Sequence, residues 1–194
     1  MTGEMIRRPI KRIDRTFSFL DLCNFTAFTD QEGDVAAFDV VTAFRAVVRQ
    51  VASERGVRLA KWLGDGVMMV GVEPEDLVEA VVDIEVLIDE ANSPLPMRAG
   101  IARGPVMLIG GDDYVGPAVN LASRLCDLAE AHQVLAEKGT VTPLMTNVEE
   151  QAFIRQQIKG FEKGIDVVRL VPLGGDAHGS GGGWYWPPWR DPVP

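Results

Sequence analysis

The sequence has few of the two residue types on which many catalytic and metal sites depend, histidine and cysteine. Its 194 residues include two histidines, His132 and His178, and two cysteines, Cys23 and Cys126. So few histidines argue against a histidine metal site and against a Ser-His-Asp triad. Two cysteines are too few for a disulfide framework, and we therefore expect a cytoplasmic location with reduced thiols.

Positive charge and long apolar runs are also scarce. The formal net charge is −9, with 19 basic and 28 acidic residues, so the chain lacks the basic footprint that nucleic-acid binding requires. No apolar run approaches the roughly 18 residues of a membrane-spanning helix, and the N-terminus lacks a signal-peptide core. We expect neither a nucleic-acid partner nor a membrane span. The hydrophobic fraction of 46% and the mean hydropathy of +0.06 are typical of a globular domain.

Composition divides the chain into three segments. Residues 1–13 form a basic flank, residues 14–172 carry the periodic apolar pattern of a folded domain, and residues 173–194 are rich in glycine, proline and tryptophan. In the last segment, "GGDAHGSGGG" has the composition of a flexible linker. The following "WYWPPWRDPVP" holds three of the four tryptophans. We favour a disordered tail over an aromatic clasp that docks on the domain, a partner or a neighbouring subunit, and both interpretations stay open.

The spacing of apolar residues predicts the element order β-α-β-β-α-β, followed by further strands. Residues 16–22 form a strand, and residues 25 to about 55 form an amphipathic helix with Val35 and Phe38 on its apolar face. Two apolar runs around Gly64-Asp65-Gly66 predict a tight hairpin. The other predicted elements are a helix from Pro74 to near Asn92, one or two strands in 96–110 broken at Gly104-Pro105, a loop over 110–113, a helix over roughly 117–131, and weaker strands at 133–136 and 166–172.

This order predicts an α+β fold. Its core would be a ferredoxin-like βαββαβ unit with extra C-terminal strands. The helices are expected on one face of a mostly antiparallel sheet.

Two carboxylates stand where the chain changes direction. Asp21 ends the first strand and Asp65 lies in the hairpin turn; taken singly, Asp21 could cap the next helix and Asp65 is a common turn residue. Together they predict two neighbouring carboxylates at an exposed end of the sheet, which repel each other unless a hard divalent cation bridges them. The helix that begins after Leu22 offers free backbone amides to phosphate oxygens. This combination is typical of a nucleoside triphosphate site.

A second polar pair lies in "DYVGPAVNLASRL". Asn120 and Arg124 are four residues apart, so they project from the same side of the predicted helix. Arg124 stands among apolar residues, which indicates a charge held near a groove. An arginine in that position can stabilise charge that develops on a phosphorus atom.

With these motifs in place, the chain resembles a class III nucleotide cyclase catalytic domain from about residue 14 to 172. The matching stretches are "FLDLCNFTAFTD", "KWLGDGVM", "MRAGIARGPV", "DYVGPAVNLASRL" and "IKGFEKGIDVVRLV". The resemblance implies the class III cyclase fold and two divalent cations, Mn²⁺ or Mg²⁺. It makes Asp21 and Asp65 the metal-binding aspartates, with the backbone carbonyl of Leu22 as a further metal ligand.

The resemblance also assigns roles in substrate binding. It implies base recognition by Lys61 and Asp113, ribose positioning by Asn120, and transition-state stabilisation by Arg124. The positions that would bind phosphate are Cys23, Asn24, Phe25, Thr26 and Lys159, with Lys163 as an alternative to Lys159. Asn24 departs from the family pattern, which usually has Gly there, but Asn tolerates the same positive φ.

In the resembling family the substrate lies at the interface of a head-to-tail dimer. Asp21 and Asp65 would come from one subunit, and Lys61, Asp113, Asn120 and Arg124 from the other. Since one chain carries every element, we expect a homodimer with two equivalent sites. The implied reaction converts a nucleoside triphosphate to a 3′,5′-cyclic nucleotide and pyrophosphate, by in-line attack of the ribose 3′-oxygen on the α-phosphorus.

The base stays open. A Lys and an Asp at positions 61 and 113 usually signal ATP in this family, yet uracil and cytosine offer similar neighbouring donors and acceptors. Trp62, beside Lys61, is expected on the opposite face of its strand. The chain starts almost at its first catalytic strand and shows no regulatory domain. It thereby resembles the stand-alone pyrimidine cyclases of bacterial anti-phage signalling, which act through a separate effector.

We therefore lean narrowly to UTP or CTP, giving cUMP or cCMP, with ATP and cAMP close behind. A guanylate cyclase is less expected, because Glu and Cys usually read the base there. A different class of function is a degenerate cyclase domain that only binds nucleotides or a partner. The presence of Asp21, Asp65, Asn120 and Arg124 in one chain argues against it.

Overall fold

The computed structural model describes residues 12–110 and 113–173. Most of the basic flank and residues 174–194, on which the clasp hypothesis depends, lie outside the described residues. The elements are β1 Arg12–Leu22, α1 Phe25–Glu54, β2 Arg58–Leu63, β3 Gly66–Gly71, α2 Pro74–Glu90, β4 Met97–Ile109, β5 Asp113–Val115, α3 Pro117–Leu128, β6 Val134–Glu137, β7 Val148–Gln156 and β8 Ile165–Pro172. The predicted α+β class and βαββαβ order are confirmed.

One sheet organises the described part of the chain. Its strand order is β2-β3-β1-β4-β6-β8-β7, and β5 pairs with the end of β4. The pairing is antiparallel throughout except between β4 and β6. In both described ranges, no helix is long and apolar enough to cross a membrane.

Alternation along β1 builds a hydrophobic core on each face of the sheet. Leu20 and Leu22 pack in the core formed with α1 and α2, whereas Phe17 belongs to the core formed with α3. The prediction that all helices lie on one face is therefore wrong for α3. Gly100 of β4 explains how α3 lies so close, since a Cβ at this position would collide with the backbone of Ala122 and Cys126.

Two strands differ from the prediction. β4 is not broken at Gly104-Pro105 but continues through it, with Pro105 opposite Asp14 of β1. Pro105 has no N–H to donate. No hydrogen bond to β6 is lost, because β6 pairs with β4 only over residues 99–101. β7 was not predicted, because its sequence "VEEQAFIRQ" lacks a clear apolar alternation and it lies at the edge of the sheet. Asp113 begins β5 and does not lie in a loop.

The apolar face predicted for α1 is wrong at its beginning. Val35 and Phe38 are 77% and 70% exposed. Gly33 has φ 86° and ψ 169°, which interrupts the helical geometry, so a periodicity counted through this residue does not hold. The buried face starts at Ala37 and continues through Val40 and the residues that follow at helical spacing.

Candidate active site

The two predicted metal-binding aspartates lie at the same end of the sheet. β1 and β3 are antiparallel neighbours with Asp21 opposite Gly66, the residue after Asp65. A Cβ at position 66 would lie 2.7 Å from the Leu20 carbonyl oxygen and 3.3 Å from Asp21 Oδ1. Gly66 therefore gives the Asp21 carboxylate room to lie across the hairpin, beside Asp65.

Burial and mutual repulsion both act on the carboxyl group of Asp65. Partial burial raises the pKa of Asp65, and the negative charge of Asp21 raises it further. In the part of the chain described, no group of three or more His, Cys, Asp or Glu side chains could hold a metal. The donors predicted from the sequence are the carboxylates of Asp21 and Asp65 and the backbone carbonyl of Leu22. All-oxygen donors fit Mg²⁺ or Mn²⁺ and do not fit a soft metal.

Arg98 is a site residue that the sequence reasoning missed. It faces Asp21 across the β1–β4 ladder, and its Nη2 and Nε donate to Asp21 Oδ2 at 2.8 and 3.2 Å. Both side chains are 30% exposed, and the bond to Asp21 is the main cause that raises the pKa of Arg98. The available signal was an arginine between Met97 and Ala99, at the apolar beginning of β4.

The loop between β1 and α1 has the geometry that a helix N-terminal anion site needs. Asn24 has φ 61° and ψ 23°, the left-handed conformation expected of a residue in place of Gly. The first helical bond runs from the Phe28 N–H to the Asn24 carbonyl, so the amides of Phe25 and Thr26 precede the helical ladder. The Cys23 amide donates to the Pro96 carbonyl at 2.8 Å, which removes it from the set of phosphate donors predicted from the sequence.

Asn120 and Arg124 line a groove of about 1080 Å³ beside α3. α3 begins at Pro117, which suits the first helical position. Arg124 Nη1 contacts Asp127 Oδ2 at 3.3 Å, and both side chains are at least half exposed. The opposite wall includes Lys159 and Lys163, so either lysine remains a candidate for phosphate contact.

The two residues predicted to recognise the base, Lys61 and Asp113, do not line this groove. Lys61 is exposed on β2 and pairs across the ladder with Met68, which belongs to the core on the α3 face. Trp62 packs against the other core, as predicted from strand alternation. Asp113 is exposed on β5, next to Tyr114, whose hydroxyl lies 3.4 Å from the Arg58 guanidinium of β2.

The groove beside α3 does not include the metal-binding end of the sheet. Asp21, Asp65, Lys61 and Asp113 are all absent from its lining. The predicted metal ligands and the pair Asn120 and Arg124 therefore do not share this groove. For Asp21 and Asp65 this agrees with the expectation that the metal ligands and Arg124 of one site come from different subunits; Lys61 and Asp113, expected on the same subunit as Arg124, lie outside the groove as well.

Comparison with known proteins identifies the family. Residues 11–168 match the model described as the adenylate and guanylate cyclase catalytic domain. The chain belongs to this family. The class III cyclase identification made from the motifs is confirmed, and with it the enzyme class, a phosphorus-oxygen lyase. Class III cyclases use divalent metal ions, in agreement with the donors at the end of β1.

Relatives and solved structures agree with this family. The chain is 42% identical over 118 residues to an uncharacterized protein of Mycobacterium tuberculosis, covering 61% of this chain and 31% of that protein. It is 34% identical over 136 residues to an adenylate cyclase of Streptomyces coelicolor, covering 69% and 35%. The chain thus spans about a third of each relative. The adenylyl cyclase CyaB from P. aeruginosa has the same fold, with a TM-score of 0.71, 24% identity, and coverage of 84% and 96%.

Proposed function

We propose that this chain converts a nucleoside triphosphate to its 3′,5′-cyclic nucleotide and pyrophosphate, in a homodimer with two shared sites. The observation that carries the proposal is the position of Asp21 opposite Gly66, next to Asp65, at one end of the sheet, while Asn120 and Arg124 line a groove that contains neither aspartate. Each half-site holds some of the residues that the reaction needs, and a head-to-tail dimer would bring the two sets of residues together.

The first half-site is the end of β1. Asp21, Asp65 and the Leu22 carbonyl would hold two divalent cations, Mn²⁺ or Mg²⁺, and Arg98 donates two hydrogen bonds to Asp21. Bound metal would supply Lewis-acid activation of the ribose 3′-hydroxyl and neutralise phosphate charge. The amides of Phe25 and Thr26, at the positive end of α1, would donate to phosphate oxygens.

The second half-site is the groove beside α3. Asn120 would hold the ribose so that its 3′-oxygen lies in line with the α-phosphorus. As the new bond forms, the bond to pyrophosphate breaks and the 3′-hydroxyl loses its proton to solvent water. Arg124 would leave Asp127 and stabilise the negative charge on the α-phosphate oxygens. Lys159 or Lys163 would contact the departing phosphates.

ATP is the substrate that we now favour. Lys61 can donate to adenine N1 and Asp113 can accept from the N6 amine, and the relative from S. coelicolor is named an adenylate cyclase. The narrow preference for UTP or CTP depended on the absence of a regulatory domain from this sequence. The matched relatives extend far beyond the matched region, so the limits of this chain no longer support that preference. A pyrimidine substrate, with an anti-phage role and a separate effector, stays as the alternative.

The test is one incubation of the purified protein with each of the four nucleoside triphosphates and Mn²⁺, with products identified by mass. We expect cAMP from ATP, and none from an Asp65→Asn variant assayed in parallel. cUMP or cCMP would support the pyrimidine alternative. If no cyclic product forms while nucleotide still binds, the chain is a binding module and the proposal is wrong.

A further inference from the structure

A side chain of α1 reaches the turn that carries Asp65. Arg45 Nη2 donates to the Gly64 carbonyl at 2.7 Å. Gly64 and Asp65 form the two-residue turn between β2 and β3, and Gly64 has φ 70°, as the first position of a type II′ hairpin turn requires. The Gly64 carbonyl belongs to the peptide bond that ends at the Asp65 nitrogen. The bond from Arg45 therefore fixes the peptide plane from which Asp65 extends.

A tryptophan of the same hairpin holds the arginine in place. The Arg45 guanidinium lies 4.9 Å from the ring centroid of Trp62, within the range of a cation–π contact. Trp62 in turn packs on the core beneath α1. The Nε of Arg45 is buried and has no hydrogen-bond acceptor among the described residues. The arginine is thus partly desolvated, and its charge has been placed here at some energetic cost.

Arg49, one helical turn further along α1, contacts the same tryptophan ring but not the turn. Its guanidinium lies 5.1 Å from the same ring centroid, but the hydrogen bond to the turn comes from Arg45. Arg49 is exposed, whereas Arg45 is half-buried. The two arginines share the ring contact and differ in the contact with Gly64, so Arg49 is a matched control.

We propose that Arg45 is a positioning residue for the carboxylate of Asp65, an inference that rests on the proposed function of Asp65 as a metal ligand. β2 is the outermost strand of the sheet, so the turn has a paired strand on one side only. Glycines on both sides of Asp65 add conformational freedom to the turn. A bond from a long helix to the turn carbonyl limits that freedom and holds the carboxylate ready for the cation.

The experiment is a titration of the full chain with Mn²⁺ alone, in which electron paramagnetic resonance measures free Mn²⁺. The variants are Arg45→Met, Arg49→Met and Asp65→Asn. We expect Arg45→Met to weaken Mn²⁺ binding about 10-fold, the low end for residues that orient a metal ligand. Arg49→Met should change it less than about 2-fold. Both variants lose a contact with Trp62, but Arg45→Met also loses the bond to Gly64, so its melting temperature should fall further than that of Arg49→Met.

The outcomes separate the inference from the function on which it rests. If Arg45→Met binds Mn²⁺ as tightly as the unaltered chain, or if Arg49→Met weakens binding as much, the positioning role is wrong. If Asp65→Asn does not weaken binding, the metal assignment itself fails. Should Arg45→Met not fold, Arg45→Lys replaces it, because lysine keeps the charge over Trp62 but lacks the planar fork that also reaches Gly64; the same loss of affinity is expected.

Discussion

At the scale of single residues, the carboxylate pair is a site at which binding and stability oppose each other. Asp21 has Arg98 as a partner, whereas Asp65 lies half-buried beside the charge of Asp21. Ionised Asp65 is therefore unfavourable in the metal-free protein, and a bound cation would remove this penalty. The ionised form of Asp65, which binds metal, is therefore also the form that lowers the stability of the metal-free protein.

Asp65→Asn should abolish cyclase activity and stabilise the metal-free protein at neutral pH. Because the folded-state pKa of Asp65 is raised, the stability that its protonated form contributes at low pH is lost as pH rises through that pKa. Asparagine stays neutral. We expect a rise in melting temperature of about 2 °C at pH 7, small because solvent screens the pair, and none at about pH 3. Asp39→Asn, at an exposed position of α1, is the control; an equal rise there would contradict this account.

Asn24→Gly tests whether the side chain of Asn24 has a role beyond its backbone conformation. Glycine adopts φ 61° without strain, and no side-chain bond from Asn24 caps α1. We expect kcat and KM to stay within about 3-fold, while Asn24→Ala should be less active because a Cβ without a polar group strains the left-handed conformation. A large change in Asn24→Gly, in either direction, would show that the amide side chain contacts the substrate.

Some residues of the candidate site could be predicted from the sequence and others could not, because only some of them lie in a local motif. Asp21, Asp65, Asn120 and Arg124 stand in local motifs whose chemistry is visible along the chain. Arg98 joins the site only through the cross-strand register with Asp21, 77 residues away. Similarly, the contact of Arg45 with the hairpin depends on how α1 packs on the sheet. Neither register nor packing is encoded in a local pattern.

At the scale of elements, period and turn chemistry predicted β1, the β2–β3 hairpin and the positions of the three helices. The side of the sheet on which α3 packs was not predictable in this way. It depends on a close contact between α3 and Gly100, and glycine gives no hydrophobic signal. β7 was missed for a related reason, since a strand at a sheet edge is not required to alternate apolar and polar residues.

Gly100→Ala tests how closely α3 lies on β4. The added methyl group would collide with the backbone of Ala122 and Cys126, which cannot move without shifting the helix. We expect a loss of about 3 kcal/mol, a fall in melting temperature of about 6 to 12 °C. Gly104→Ala is the control on the same strand, because its Cβ would meet Ala118 Cβ at an ordinary 3.4 Å. Similar unfolding curves for both variants would contradict the predicted close contact.

At the scale of the whole molecule, the proposed function would make activity a property of the dimer. The groove that Arg124 lines contains neither Asp21 nor Asp65. Association of two copies in the proposed head-to-tail dimer would bring these aspartates to that groove, and by symmetry it would do so twice.

Subunit mixing tests this arrangement. Asp65→Ala and Arg124→Ala should each be inactive alone, because every site in either homodimer lacks one part. A heterodimer has one intact site, made of Asp65 from one subunit and Arg124 from the other. Equal mixing gives heterodimers as half of all dimers, so we expect about a quarter of the unaltered activity per chain. Asp65→Ala mixed with Asp65→Asn should stay inactive, since both changes affect the same half-site. If the first mixture is also inactive although exchange of subunits is shown by native mass spectrometry, the two halves do not meet across an interface.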